Sequence, residues 1–190
     1  MTCENGPSHK ALVIINLKSY ASIIAGEDED PLHADERLSL ANLSWICNAG
    51  MSGIESLPLD KICRWTGFIE GCLVARGLIT PAHDNDDEVP DHPNDPVSNA
   101  AQKLFSRYLP MAKALQEIIH IDGRDITKVC ERYVNKPGAT FDMNLALGYV
   151  QGLVCMYGLT TVDTERDVSR PLFHEAYRLT ESVIPERMER

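Results

Sequence analysis

The chain has 190 residues, 44% of them apolar and 24% charged, which is long enough for one ordinary core and excludes a disordered protein. Its net charge of −10 comes from two acidic segments, residues 27–36 and 84–95, each with six carboxylates and no Lys or Arg. Outside these segments the chain has 16 acidic and 18 basic residues, which is close to balance. This argues against both a nucleic-acid-binding protein and a DNA mimic.

The cellular location is predicted from what the chain lacks. No apolar run approaches the roughly 18 residues of a membrane span, and the first residues have neither the basic nor the apolar region of a signal peptide. The six cysteines are scattered, with no CxxC pair, and several fall in apolar helical stretches. We therefore expect a cytoplasmic protein with reduced core thiols and no disulfide framework.

Helical periodicity dominates the chain, and no run alternates at period two. Residues 10–25 are expected to form a first helix ended by Gly26, although their LVII stretch would also suit a buried strand. Asp30-Pro31 is typical of a helix start. The helix that it opens is expected to place Leu38, Ala41 and Trp45 on one stripe and to stop near residues 48–50.

Five more helices are expected further along. Their approximate ranges are 60–76, 97–119, 125–134, 142–157 and 170–182. Gly77 and Gly158 are expected to close the first and fourth of these, Asp125 to cap the third, and Pro110 to break or kink the second. The sequence therefore predicts an all-α protein.

An internal repeat is the most informative feature. Residues 67–80 (GFIEGCLVARGLIT) return 81 positions later as residues 148–161 (GYVQGLVCMYGLTT), with five of fourteen positions identical. Each copy has a Gly-x-x-x-Gly helix, and a glycine inside a helix costs about 1 kcal/mol, so another backbone is expected to come close. We hypothesise that the two glycine stripes cross about a pseudo-twofold axis. Alternatively, each stripe packs against its own neighbouring helix.

The repeat also predicts the domain organisation. We expect one domain, residues 1–190, folded as a compact helical bundle from a duplicated helix-turn-helix unit. The two units are expected at about residues 30–107 and 120–182. An acidic insertion, residues 83–95, separates the turn of the first unit from the helix that follows it.

Candidate binding residues lie near the end of the chain. On a helix, Arg170, His174 and Tyr177 share one face, and the opposite face carries four apolar side chains: Val168, Leu172, Ala176 and Leu179. A fixed cation, a switchable donor and an aromatic ring suit the recognition of phosphate and base, although a solvated helix face would have the same composition. Between the glycines, Gln151 and its equivalent Glu70 would either meet at the pseudo-axis or lie exposed.

The sequence offers little for catalysis or for metal binding. The insertion loosely resembles a calcium loop, but Val89 replaces the required glycine and Pro90 and Pro93 stiffen it, so we expect a solvated acidic loop. Cys72 and Cys155 lie among apolar neighbours and are expected to be inert. No nucleophile or phosphate-loop motif is present, and we expect neither an enzyme nor a cofactor.

Two strings of the chain resemble small, uncharacterised accessory proteins of tailed bacteriophages. The first is DKICRWTGFIEG, residues 60–71, followed by GLIT; the second is TVDTERDVSRPLFHEAY, residues 161–177. In that family pattern one short unit carries both strings, whereas here the first is best kept in copy one and the second in copy two. The resemblance covers about half of the chain and implies a phage gene product that acts in the host cytoplasm.

From these observations we expect a non-enzymatic phage accessory protein, monomeric or homodimeric, that binds a host cytoplasmic protein and modulates or inhibits it. The alternative is a sponge-like binder that sequesters a nucleotide second messenger of host anti-phage defence. Direct binding to nucleic acid or to a membrane is not expected. The residues predicted to contact the partner or ligand are Arg166, Arg170, His174, Tyr177, Arg64, Trp65 and Gln151.

Overall fold

A computed structural model describes five stretches of the chain: residues 8–27, 35–81, 96–119, 125–136 and 140–160. Within them the protein is all-helical, and no strand occurs in these stretches. The helices are α1 His9–Ala25, α2 Leu40–Gly53, α3 Leu59–Ala75, α4 Pro96–Ile118, α5 Ile126–Asn135 and α6 Thr140–Met156, with one short 3-10 turn at Glu36–Leu38. The predicted all-α class is confirmed, and the segment read as helix or strand is the helix α1.

Polar side chains define where several helices begin. Ser8 accepts a hydrogen bond from the backbone N–H of Ala11 at the start of α1. The Asp125 carboxylate accepts from the N–H groups of Thr127 and Lys128, at 2.9 and 3.0 Å, and so caps α5. These oxygens accept hydrogen bonds from backbone N–H groups that have no acceptor within the helix. Short polar residues therefore mark helix starts in this sequence.

The second helix begins later than the sequence indicated. Ser39, rather than Asp30, is its N-cap, and Asp30 lies outside the described residues. The 3-10 turn before it places Leu38 in the core, but Ala41 is exposed and Trp45 is only half-buried. The expected stripe is therefore wrong, because the turn changes the rotational phase of the helix. Its buried side chains include Leu40, Leu43, Ile46 and Cys47.

The fourth helix continues through Pro110 instead of ending there. Pro110 is exposed, and so is Ser106 one turn earlier, whose carbonyl loses its helical donor to the proline ring. Because that carbonyl lies on the solvent side of α4, water can satisfy it. The helix therefore tolerates the proline.

The core consists of two groups of buried side chains. α1, α2 and α3 surround the first, which includes Leu17, Leu43 and Phe68. α4, α5 and α6 surround the second, in which the rings of Phe105 and Tyr133 stack 4.9 Å apart. α3 packs against α6 at the centre and joins the two groups.

One helix does not pack within the unit to which the sequence assigned it. Residues 96–107, assigned to the first unit, lie in α4, and α4 packs against α5 and α6. The helix that follows the first glycine turn therefore joins the opposite half of the protein. The unit limits of 30–107 and 120–182 stay a prediction.

Candidate functional site

The interface between α3 and α6 is built on the four repeat glycines. A Cβ atom placed on Gly67 would overlap the carbonyl oxygen of Leu145 and lie 2.9 Å from the backbone nitrogen of Tyr149. A Cβ on Gly71 would lie 3.0 Å from the nitrogen of Leu153. Only glycine leaves room for backbones this close, which is why both helices accept its low helix propensity.

The glycines of α6 make the corresponding contacts with α3. A Cβ on Gly148 would overlap the carbonyl oxygen of Arg64 and lie 2.8 Å from the nitrogen of Phe68. A Cβ on Gly152 would lie 3.0 Å from the nitrogen of Cys72. The two glycine stripes therefore face each other, and the alternative in which each packs on its own neighbour is excluded.

Both central helices end in the same turn. Gly77 has a φ of 72°, its N–H donates to the carbonyl of Val74 at 2.9 Å, and the N–H of Leu78 donates to that of Leu73 at 3.0 Å. The same two bonds close α6 at Gly158, whose φ is 69°. This is the Schellman motif, and the left-handed residue that it requires is glycine in both copies. The predicted glycine caps are confirmed.

Arg64 and Trp65, two predicted contact residues, lie inside the protein. Arg64 is 2% exposed, and its Nη2 donates a hydrogen bond of 2.6 Å to Oδ1 of Asn144 on α6. Trp65 is also buried, and the Lys61 ammonium lies 5.1 Å from the centre of its ring. Both side chains hold α3 in place, and a molecule docking on the surface would not touch them in this conformation.

Gln151 is fully buried, so its predicted alternative of surface exposure is excluded. Its Nε2 donates a hydrogen bond of 2.9 Å to the hydroxyl of Tyr108 on α4. Its repeat equivalent, Glu70, is half-buried. The sequence carried no signal for Tyr108 as the partner, since that residue reads as one more apolar position of α4.

The other predicted contact residues lie outside the described stretches. These are Arg166, Arg170, His174 and Tyr177. The acidic insertion, residues 83–95, also lies outside them. Of the first acidic segment the structure describes the ends, where the Asp35 carboxylate pairs with Arg37 at 2.8 Å.

All five described cysteine thiols are buried. Burial raises the pKa of four of them to about 12: Cys47, Cys63, Cys130 and Cys155. Burial also raises the pKa of Cys72 well above its usual value. A thiol must lose its proton to act as a nucleophile, so these groups serve packing. In the described part of the chain, no three His, Cys, Asp or Glu side chains are grouped to hold a metal ion.

These raised pKa values predict a loss of stability at alkaline pH. The unfolded chain releases thiol protons near pH 9, while the folded protein keeps them to about pH 12. The thiol contribution to stability is therefore complete below pH 9 and is lost as the pH rises from 9 toward 12. We expect the urea concentration at the unfolding midpoint to decrease when the pH is raised from 8 to 10.5. The decrease should be smaller in Cys130→Ala than in the unmodified protein. Equal falls in both proteins would contradict this assignment.

Sequence reasoning missed one surface, the outward side of α1. Leu12 is 37% exposed and Ile15 is 57% exposed, one turn apart on the same helix. The available signal was that α1 is apolar on nearly every side, which is typical of a helix covered on both faces. Among the described helices, none is long and apolar enough to cross a bilayer.

Comparison of the chain with protein-family models, with curated proteins and with solved structures finds no match.

Proposed function

We propose that this protein is a non-enzymatic phage accessory protein that binds a host cytoplasmic protein and modulates or inhibits it. The observation that carries the proposal is the burial of the described candidate residues. Arg64, Trp65 and Gln151 are all inside the bundle, and the described thiols are buried with them. The described helices thus form a packed scaffold, and we infer that a partner is contacted by segments that follow these helices.

Two such segments follow the two glycine turns. The acidic insertion, residues 83–95, comes soon after Gly77, and the Arg/His/Tyr face (Arg170, His174 and Tyr177) comes soon after Gly158. Each turn therefore sends the chain from a packed central helix into a segment rich in charge. We propose that these two segments are the contact surfaces.

The duplicated architecture is part of the same proposal. We infer a pseudo-twofold axis between α3 and α6, descending from an ancestral homodimer whose two copies were fused and then diverged. The supporting observation is that the backbone groups that face Gly148 and Gly152 belong to residues 81 positions before those that face Gly67 and Gly71. In this architecture any working site occurs once, because the Arg/His/Tyr face is present only in copy two.

Charge gives the proposed partner a chemical character. Residues 84–95 carry six carboxylates and no Lys or Arg, so the complementary surface is basic. Concentrated charge of one sign accelerates association, and salt weakens this effect. We therefore expect the partner to associate more slowly as the salt concentration rises.

Co-purification from host lysate tests the proposal. We expect the tagged full-length protein to retain one host protein at constant stoichiometry. Asp87→Lys in the insertion should slow association several-fold at low salt. Glu117→Lys on the exposed side of α4, which makes the same change of charge, should leave association unchanged. A preparation with no stoichiometric partner would contradict the leading function.

The nucleotide alternative predicts a different result. A sequestered nucleotide at 100 times its Kd should stabilise the protein by about 2.7 kcal/mol, which a thermal-shift measurement detects. Cyclic and linear nucleotides at millimolar concentration are the probes. If one of them raises Tm while no host protein is retained, the sponge replaces the leading proposal.

A further inference from the structure

Both glycine turns lie at the same end of the protein, because α3 and α6 run in the same direction. A Cβ on Gly67 would meet the backbone of residues 145 and 149, and one on Gly71, a turn later, would meet that of residues 149, 152 and 153. A step of four residues along α3 therefore matches a step of four along α6, so the two helices are parallel. They end in their glycine turns, at Gly77 and Gly158. We call residues 76–80 and 157–160 together the turn end.

The start of α2 and the end of α1 lie beside the turn end. Nη2 of Arg76 donates a hydrogen bond of 2.8 Å to the carbonyl of Leu38, which places the start of α2 next to the end of α3. Lys10 at the start of α1 pairs at 2.7 Å with Glu55 just after α2, and the two helices pack together, so they are antiparallel. α1 therefore ends where α2 begins. Three helices, α1, α3 and α6, terminate at this end of the protein.

The charges at this end favour a cationic partner. The C-terminal end of a helix carries partial negative charge on its carbonyl groups, and here three such ends lie together. Glu27 and Glu36, next to the end of α1 and the start of α2, are exposed. Two arginines of the region are held by acceptors of the chain itself, Arg37 by the Asp35 carboxylate and Arg76 by a backbone carbonyl. The turn end therefore offers carbonyl and carboxylate oxygens to a binding molecule.

Tyr157 gives the turn end an exposed aromatic ring. This residue is 41% exposed, whereas the other tyrosines in the described part of the chain are buried or half-buried. The space beside it is open, since a Cβ on Gly77 or on Gly158 would meet no described atom within 4 Å beyond its chain neighbours. A planar guanidinium stacks on the face of a tyrosine ring more readily than a compact, strongly hydrated ammonium. The ring therefore favours arginine over lysine.

We propose that the turn end binds an arginine-containing basic segment of a protein, with one guanidinium stacked on Tyr157 and the basic residues beside it facing the three helix ends. That this protein comes from the host rests on the proposed function; the binding of the basic segment does not. The chain leaves the described residues at Pro81 and at Thr160, both at this end. Both segments proposed as contact surfaces therefore begin beside the same site, and one partner meets them together.

Binding of two labelled peptides to the full-length protein, measured by fluorescence anisotropy, tests the proposal. The probes are an oligo-arginine and an oligo-lysine of equal length, and we expect the arginine peptide to bind about two- to fivefold more tightly. Tyr157→Ala should remove this preference, and Tyr157→Phe should keep it. The matched control is Leu12→Ala, since Leu12 is 37% exposed near the start of α1, at the opposite end. Asp87→Lys should weaken both peptides and leave their ratio unchanged.

A second pair of variants places the peptide at the turn end. Thr80→Lys, at an exposed position close to Gly77, should weaken the arginine peptide several-fold. Ser106→Lys adds the same charge at an exposed position of α4 and should weaken it much less. Helix content by circular dichroism and the urea midpoint check that each variant is folded. Equal affinities of the two peptides, a preference that survives in Tyr157→Ala, or equal losses from the two lysine variants would each overturn the proposal.

Failure of this inference and failure of the proposed function are distinguishable. An arginine preference that depends on Tyr157, in a protein that retains no host protein from lysate, overturns the function alone. A host protein retained equally by Tyr157→Ala and by the unmodified protein is bound elsewhere, which overturns the inference alone. If both hold, Tyr157→Ala should reduce retention of the host protein several-fold, and Leu12→Ala should leave it unchanged.

Discussion

Replacing Gly67 with alanine is expected to destabilise the protein by about 3 kcal/mol, the upper end of the usual cost of overpacking. The added methyl group would overlap the carbonyl oxygen of Leu145, and a backbone carbonyl cannot rotate away as a side chain can. The helices must separate instead, which loosens the packing along the whole α3–α6 interface. Gly148→Ala should cost a similar amount, because its methyl group would overlap the carbonyl oxygen of Arg64.

Urea unfolding followed by circular dichroism measures both losses. Gly26→Ala is the matched control, since Gly26 has a helical φ of −83° and its Cβ would lie 3.3 Å from the carbonyl oxygen of Ile23, a contact that a shift of a few tenths of an ångström relieves. We expect this control to change stability by no more than about 0.5 kcal/mol. If Gly67→Ala loses no more than the control, the close approach of the two backbones is refuted.

Replacing Asn144 with leucine is expected to cost about 2–3 kcal/mol, the range for a hydrogen bond to a charged group. Arg64 is 2% exposed, and its 2.6 Å bond to Asn144 joins α6 to α3 within the core. Leucine branches at the same atom and is larger, but it has no oxygen, so the buried guanidinium loses an acceptor that water cannot replace. Asn48→Leu on the exposed side of α2 makes the same change and should alter stability by no more than about 0.5 kcal/mol.

A double-mutant cycle separates the bond from the packing. Arg64→Met removes the charge, so Arg64→Met with Asn144→Leu should be more stable than Asn144→Leu alone by about 1 kcal/mol. The reason is that an incompletely paired buried cation costs more than an apolar side chain in the same place. Strictly additive losses would show that the two residues act independently.

The effects on stability also determine how binding must be tested. Variants of Gly67 or Asn144 loosen the scaffold, so they would weaken the binding of any partner without being in contact with it. Variants at Asp87 or Arg170 lie in the segments proposed to make contact, and Glu117→Lys provides the control on the exposed side of α4. A loss of partner binding confined to the variants at Asp87 and Arg170 would favour a contact surface in those segments over a general loss of structure.

Helix ends were the best predicted feature, because their signals are local. Gly77 and Gly158 close α3 and α6 as expected, and Asp125 caps α5. The predicted start of α2 was wrong, because Asp30-Pro31 and Ser39 are both adequate local signals for a helix start. The 3-10 turn at Glu36–Leu38 favours the later one. Local sequence cannot rank two such signals when the choice depends on which side chains the core can bury.

The candidate site was less accessible to sequence reasoning. Arg64, Trp65 and Gln151 read as polar or amphipathic residues suited to a partner, but the structure buries all three. Their hydrogen-bonding partners are distant in the sequence: Asn144 is 80 positions from Arg64, and Tyr108 is 43 positions from Gln151. No pattern within one helix indicates such a pair.

By itself, the sequence determined the helical class, the repeat and the two glycine turns, because periodicity and backbone conformation act over a few residues. It also predicted that the glycines meet another backbone, since two costly residues in each helix need a compensating contact. Only the tertiary structure decided that the two stripes meet each other, that Arg64 and Gln151 face inward, and that α4 joins the opposite half. These depend on which surfaces the folded chain buries together, and that choice sums contacts between residues far apart in the sequence.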